Sequence, residues 1–489
     1  MSLLKKFAGE TVIYGLGSVL PRVLLFALTP ILTRILGEGE YGNHAVMYAF
    51  AALSLVFFTY GMETALFRFG SKDGQLNKVF STAAISLLIT TIVFGGTLLF
   101  FSDSVAKFLE QEGQERFIRW FIYITAFDAL AALPFAKLRL ENRPIRFAVI
   151  KILSVLINIS IILFFLLVCP FLIENGFEWF TTIYEDGRQL DYVFIANLVA
   201  SALVFLILFR NFFSFNWEFD FQLWKKMLTY SWPLILVGFS GVVNRQLDRI
   251  FLVKWLPHNQ DALTGIYNAS VKIAVLMSLF ITAFNYAAEP FFFKNANRED
   301  AKPIYAQIGH AFSIVGSLVF LGIMLYMDLV QLILGKNFRA GLDIVPILLL
   351  AYFFLGLFYN FSIWYKLTDR TKIGAWISIG GAMVTVVINY LFIPTLEIQA
   401  PAYAALACFA FMATTSYFIG KKYYPIDYPI GKMLTYIFVA VGVFYLSEVF
   451  RPYLGDNIFK ILFVNTLLFI GYLVGFYLLE RNTLKKLMG

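Results

Sequence analysis

The sequence predicts an all-α polytopic membrane protein with about 14 transmembrane helices, and three observations predict it. The first is composition. Of 489 residues, 60% are hydrophobic and 14% are charged, with a mean hydropathy of +0.75, where soluble chains carry roughly a quarter charged residues. The second is a succession of apolar runs of about 17 residues or more, each long enough at ~1.5 Å per residue to cross a bilayer. The third is where the net charge of +8 falls: basic residues collect in alternate loops. That is not the single basic patch that grips nucleic acid, so nucleic acid is not an expected partner.

Taken in order, Met1 to Lys6 precede an apolar run that contains Arg22. With that charge and that length it reads as a retained first span and not as a cleaved signal. The first six spans are Thr11–Leu36, His44–Phe67, Val79–Phe101, Phe117–Leu138, Phe147–Val168 and Tyr192–Phe209. The next six are Met227–Leu252, Leu263–Ala288, Tyr305–Leu332, Ile344–Leu367, Ala375–Ile393 and Ala400–Ile419. Met433–Val449 and Ile458–Leu479 close the chain. The spans at Tyr192 and Met433 are short. Cys169 and Cys408 stand alone in apolar surroundings without CxxC spacing, which suggests core packing and neither a disulfide nor a metal site.

Loop charge orients the set. With the N-terminus inside, inner segments hold Lys5 and Lys6, then Arg68, Lys72 and Lys78, then Lys137, Arg139, Arg143, Arg146 and Lys151, and so on to Arg481, Lys485 and Lys486. Outer segments are acidic instead, as at Glu110, Glu112 and Glu115. The positive-inside rule therefore places both termini in the cytoplasm. The longest loop, from Pro170 to Asp191, is too short for a globular catalytic head.

The chain also repeats itself. Tyr60, Glu63, Phe67 and Arg68 at the end of the second span return, at one constant displacement, as Tyr286, Glu289, Phe293 and Lys294 at the end of the eighth. Tyr41 returns as Tyr267 at the same displacement, and Arg34-Ile-Leu as Arg249-Ile-Phe nearby. Six spans, an even number, separate the copies, so the halves share one orientation. This is a parallel pseudo-twofold repeat, as in alternating-access carriers. The expected domains are a six-helix lobe over 1–210, a second over 211–420, and an additional helix pair over 421–489.

Charges at membrane depth are the candidate functional residues, because each is costly in hydrocarbon. Arg22, just after Pro21, falls near mid-bilayer, Lys272 some way in from the outer end of the eighth span, and Asp128 near the middle of the fourth. Arg22 and Lys272 have no acid nearby in sequence, which favours an anion-binding role over snorkelling. Arg245 reads either as a substrate contact or as the partner of Asp248, three residues on and on the same helical face. Arg34 and Arg249, at matching outer ends, read with Asp248 as an outer gate or anchor. Glu63 and Glu289, at matching inner ends, read as capping or pairing across the lobe interface. Asp128 either pairs with Arg22 or carries a coupling ion. Asn244, with Asn158, Asn268, Asn285 and Asn389, lines a polar cavity or bonds neighbouring helices. His310 reads as a packing residue.

No GxxxxGK[ST] loop is present to make an ATPase, and no HExxH or GxSxG to support surface catalysis. A carrier without a catalytic site remains, needing no cofactor beyond coupling to a Na⁺ or H⁺ gradient.

These residues resemble a known family. Tyr14-Gly-Leu-Gly-Ser, Pro21-Arg22, Thr33-Arg34-Ile-Leu, Glu40-Tyr41-Gly42 and Tyr60-Gly-Met-Glu63 are similar to the polysaccharide-biosynthesis (Wzx-type) flippases of the multidrug/oligosaccharidyl-lipid/polysaccharide exporter superfamily. So are Gln246-Leu-Asp248-Arg249, Gly265-Ile-Tyr267 and Glu289-Pro290-Phe-Phe-Phe-Lys294. The resemblance implies two six-helix lobes forming a V, plus the final pair. It implies movement of an undecaprenyl-pyrophosphate-linked oligosaccharide, an O-antigen or capsule repeat unit, across the bacterial inner membrane. Arg22 and Lys272 would hold the pyrophosphate, and the final pair, by analogy with lipid II flippases, would take the lipid tail. Membrane lipid and proteins of glycan assembly are the further partners implied. Lys at 272 departs from the arginine of the related flippases, giving a point charge in place of a bidentate fork. The rival reading within the superfamily is a multidrug (MATE-type) exporter driven by cations through Asp128. A glycan polymerase would need a catalytic outer loop, and none is visible.

Overall fold

The computed structural model describes residues 17, 19–71, 75–213, 217–295, 298–368, 370–455 and 457–488, with side chains at all of these except 286–287, 290, 293–294 and 482–488. Among the described residues there are helices and turns but no strand. Thirteen helices among the described residues are long and apolar enough to span a membrane, and they answer to the second through fourteenth expected spans. The first, Thr11–Leu36, begins outside the described residues. Its described part is helical over 19–26, turns at Ala27–Leu28, and resumes as Thr29–Ile35 with Pro30 in the first turn. Proline fits there because that N–H needs no intrahelical partner.

A bilayer explains the surface. Ile92 is 65% exposed, Leu206 62% and Met383 64%, which only a hydrocarbon solvent tolerates over so many helices. The chain is a polytopic membrane protein.

Among the spans that are interrupted, two carry candidate residues close to the break. The second ends at Thr59, because Tyr60 (φ 33°) and Gly61 (φ 76°) take left-handed backbone before a new helix, Met62–Gly70. Glycine suits that turn, and a Cβ on Gly61 would also come within 3.1 Å of Ser231. The seventh, Phe221–Gln246, gives way at Leu247 to a second helix, Asp248–Trp255. The short sixth and thirteenth spans are full-length, Gln189–Phe212 and Ile430–Leu454. Each is capped by polar and aromatic residues that hydropathy alone leaves out. The fifth runs from Pro144 through a π-helical turn, Phe164–Val168, into Cys169–Glu174.

Packing divides the chain into two units. The first holds the described residues through Ala269 together with Lys336–Phe338 and Ala382–Pro401. One core in it joins Met62, Leu66, Phe80, Ala84, Leu133 and Met227, where the third, fourth and seventh spans meet the helix Met62–Gly70. In the same unit the second and eighth spans touch backbone to backbone. A Cβ on Gly42 would lie 1.9 Å from the Asp261 carbonyl oxygen, and one on Gly265 2.0 Å from that of Glu38. Small residues are what lets membrane helices approach so closely.

The second unit holds Ser270–Gly335, Arg339–Gly381 and Ala402–Gly489. Its ninth span, Ala301–Leu325, packs along the C-terminal helix pair Ile430–Leu454 and Ile458–Met488. A row of polar contacts follows that seam. Ser317 shares a hydrogen bond of 2.8 Å with Tyr472, Asn465 donates to the Leu325 carbonyl at 2.6 Å, and Tyr326 meets Thr466 at 2.9 Å. Arg451 closes on Asp328 at 2.5 Å. Cys169 and Cys408 are both buried in the apolar interior.

Candidate functional site

The break at Leu247 decides how the charges of the seventh span are used. Asp248 becomes the first residue of a new helix, and its carboxylate turns to Arg249, 2.6 Å away, and to the Tyr267 hydroxyl. Arg249 is 5% exposed. Its guanidinium also donates to the Arg245 carbonyl at 2.6 Å and to Asn268 at 3.4 Å. The expected Asp248–Arg245 pairing is therefore corrected. A buried guanidinium needs the carboxylate more than an exposed one does, and Arg245, which is exposed, donates to the Gly241 carbonyl at 3.0 Å. Arg34, the repeat-mate of Arg249, is exposed and donates to the Pro30 carbonyl at 2.5 Å. Sequence-equivalent arginines thus have different surroundings, one buried in a polar cluster and one at a helix surface.

Asn244 is buried and accepts the Thr385 hydroxyl at 3.4 Å, so it joins neighbouring helices as well as lying beside Arg245. Asn268 does the same through Arg249.

Glu63 and Glu289 pair within their own units. Arg139 reaches Glu63 at 3.5 Å, and Lys366 reaches Glu289 at 2.6 Å. The expected pairing across a lobe interface is replaced by contact with the base that ends the fourth or tenth span of the same unit.

Asp128 accepts a hydrogen bond from Ser201 and lies in the field of Lys151. Lys151 rests over the Phe135 ring at 4.2 Å and feels the charge of Glu63 as well. Asp128, Lys151, Glu63 and Arg139 thus form a series of alternating sign in the first unit. Read from the sequence, Lys151 was one more inner-loop base. The signal that could have singled it out is its position inside the apolar run Phe147–Val168.

Arg22 lies on the helical stretch 19–26 of the first unit with an exposed side chain, and Lys272 lies half-buried on the eighth span, in the second unit. His310, expected as a packing residue, faces Glu480 at 3.5 Å. Nothing in the sequence near either residue signals that contact, since 170 positions separate them.

Among known proteins, a Haemophilus influenzae protein described as an uncharacterized membrane protein is 24% identical over 307 residues, which are 62% of this chain and 68% of that one. The solved structure of lipid II flippase MurJ in an inward closed conformation superposes with a TM-score of 0.76 at 14% identity, covering 97% of this chain and 100% of that chain. An inward-facing multidrug resistance MATE family transporter of the MOP superfamily superposes with a TM-score of 0.65 at 13% identity, over 84% of this chain and 97% of that one. At such identities the likeness is one of fold, and the fold is that of MurJ and MATE transporters. The family model for polysaccharide biosynthesis proteins matches residues 7–296, the stretch that carries the break at Tyr60–Gly61, the Asp248–Arg249 cluster and the Glu63 and Glu289 positions, and the chain belongs to that family.

Proposed function

We propose that this protein is a flippase for a lipid-linked oligosaccharide, an undecaprenyl-pyrophosphate-linked O-antigen or capsule repeat unit, working by alternating access in the bacterial inner membrane with both termini in the cytoplasm. The observation that carries the reading is the pairing of polysaccharide-biosynthesis family membership with a MurJ-like fold over 97% of the chain, the C-terminal helix pair included. The chemistry agrees. A pyrophosphate crossing a low-dielectric region needs cations, and charge-assisted bonds there are far stronger than in water. Arg22 and Lys272 supply those cations, Arg245 and Asn244 assist on the outward side, and Asp248 and Arg249 brace the outer helix ends. Asp128 is the group for coupling to a Na⁺ or H⁺ gradient. Translocation of this kind breaks no bond and requires no catalytic residue.

The test is a deletion strain scored for accumulated lipid-linked glycan. Wild-type protein clears the accumulation, whereas Arg22→Ala and Lys272→Ala, at normal abundance in the membrane, leave it in place. Full clearance by both variants sinks the assignment of these two residues, and a deletion without accumulation sinks the flippase reading.

The MATE likeness favours a second reading, a cation-coupled drug exporter. Such a carrier presents acids to cationic drugs, whereas here Lys151 stands beside Asp128. Unchanged drug susceptibility on deletion excludes it.

A further inference from the structure

Three helices of the second unit bury a carboxylate that the flippase reading does not use. Glu480, on Ile458–Met488, has a side chain 3% exposed. The Tyr436 hydroxyl of the thirteenth span donates to its Oε1. His310 Nε2 of the ninth span faces the same oxygen at 3.5 Å, and Lys432 Nζ lies 3.8 Å from it. Lys432 itself is 64% exposed, so the cluster is open on its side. His310 stacks on Tyr436 with ring centroids 5.6 Å apart. Beside it the ninth span packs tightly at Gly309, where a Cβ would fall 2.9 Å from the Tyr428 ring. Outward along the seam, Tyr472 donates to the Tyr436 carbonyl at 3.0 Å and meets Ser317.

The arrangement does more than fasten helices together. His310 Nε2 makes no hydrogen bond among the described residues, and its separation from Glu480 is long for an N–H···O bond. One proton added to the pair converts the gap into an imidazolium–carboxylate bond, the stronger charge-assisted kind. The proton comes from water at the Lys432 side and returns there, and the pair passes from one negative charge to none. We propose that Glu480, His310 and Tyr436 form a proton-binding site, and that its occupancy sets how tightly the C-terminal helix pair grips the ninth span. Among the described contacts, Glu480 is faced by His310 from the ninth span and by Tyr436 and Lys432 from the thirteenth, with Arg481 beside it on its own helix. The use of this site in transport rests on the flippase reading, whereas its existence does not.

The experiment uses the full chain in lipid nanodiscs, labelled with ¹⁵N at histidine. There are three histidines in the sequence, and His310→Gln identifies the signal of this one against His44 and His258. Spectra are taken across the range in which histidines change charge, about pH 5 to 8. The His310 nitrogens take up a proton within it, and Glu480→Gln moves the midpoint by at least about one pH unit, a tenfold change in proton affinity. Tyr436→Phe, which keeps both titrating groups, moves it by less and serves if Glu480→Gln does not fold. A His310 signal constant across the range, a midpoint untouched by both variants, or a response to Na⁺ at fixed pH in place of one to protons overturns the proposal. None of these measurements uses substrate, so failure of the flippase reading registers separately, as a deletion strain without accumulated glycan.

Discussion

Lys366 lies 2.6 Å from Glu289, and in the other half of the repeat Arg139 lies 3.5 Å from Glu63. Glu63 opens the helix that follows the Tyr60–Gly61 break, whereas Glu289 lies inside the continuous helix Gln260–Lys294, and in each half the base lies near the end of the fourth span. The Glu289 and Lys366 side chains are 49% and 32% exposed, which keeps the energy modest. A double-mutant cycle with Glu289→Gln and Lys366→Gln, read by thermal stability in detergent, should return a coupling of about 0.2–1 kcal/mol. Strict additivity would show that the pair is a neighbourhood and not an interaction.

The Asp248–Arg249 pair predicts a larger effect. Both side chains are largely buried, 13% and 6% exposed, and Tyr267 and Asn268 complete their hydrogen bonding. Asp248→Asn leaves the guanidinium buried without its counter-charge, which typically costs about 3–5 kcal/mol. Arg34→Ala removes an exposed side chain that donates to the Pro30 carbonyl and should cost well under half of that. Equal stability losses for the two variants, measured side by side, would contradict the difference in environment.

That contrast shows what the sequence could and could not reveal. Periodic hydropathy and loop charge reach the fold class, because the bilayer imposes one length and one polarity on every span. The repeat reaches the matched positions of Glu63 with Glu289 and of Arg34 with Arg249. Burial is another matter, since it depends on which helices pack where. The seventh span reads as continuous from Met227 to Leu252, yet it breaks at Leu247, and the break redirects Asp248 from Arg245 to Arg249. The contact of His310 with Glu480 joins residues with no shared periodicity at all. The alternating charges from Asp128 to Arg139 came from three separate elements, which helical spacing cannot bring together.

Asp220 carries the pH prediction. It precedes the seventh span, accepts Lys78 at 2.7 Å and caps that helix by accepting the Leu223 N–H at 2.9 Å. The Lys78 hydrogen bond, then the capping N–H, hold its carboxyl below the usual carboxylate range. A carboxylate depressed in the folded state contributes stability above its unfolded pKa, about 3.9, and loses it as pH falls through the lower folded value. Asp220→Ala should therefore lower the Tm at pH 7 in low salt, and the gap to wild type should narrow progressively below pH ~4. A gap that widens on acidification would reverse the sign of this argument.

Gly42 and Gly265 make the most severe steric prediction. Each added Cβ would meet a backbone carbonyl oxygen, at 1.9 Å from Asp261 and 2.0 Å from Glu38. Neither oxygen can rotate away as a flexible side chain could, so the second and eighth spans must separate at this level. Asn43 sits beside the contact, buried, and accepts the Gln111 amide at 2.8 Å. A cysteine placed there by Asn43→Cys reports the separation, and the two native cysteines, Cys169 and Cys408, are buried and give little background. Adding Gly265→Ala to Asn43→Cys should raise labelling by a membrane-impermeant maleimide severalfold. Gly96→Ala, where a Cβ meets nothing within 4 Å, should leave labelling unchanged. If Gly265→Ala folds normally and Asn43→Cys stays as protected as before, the two helices do not depend on this glycine pair to hold them together.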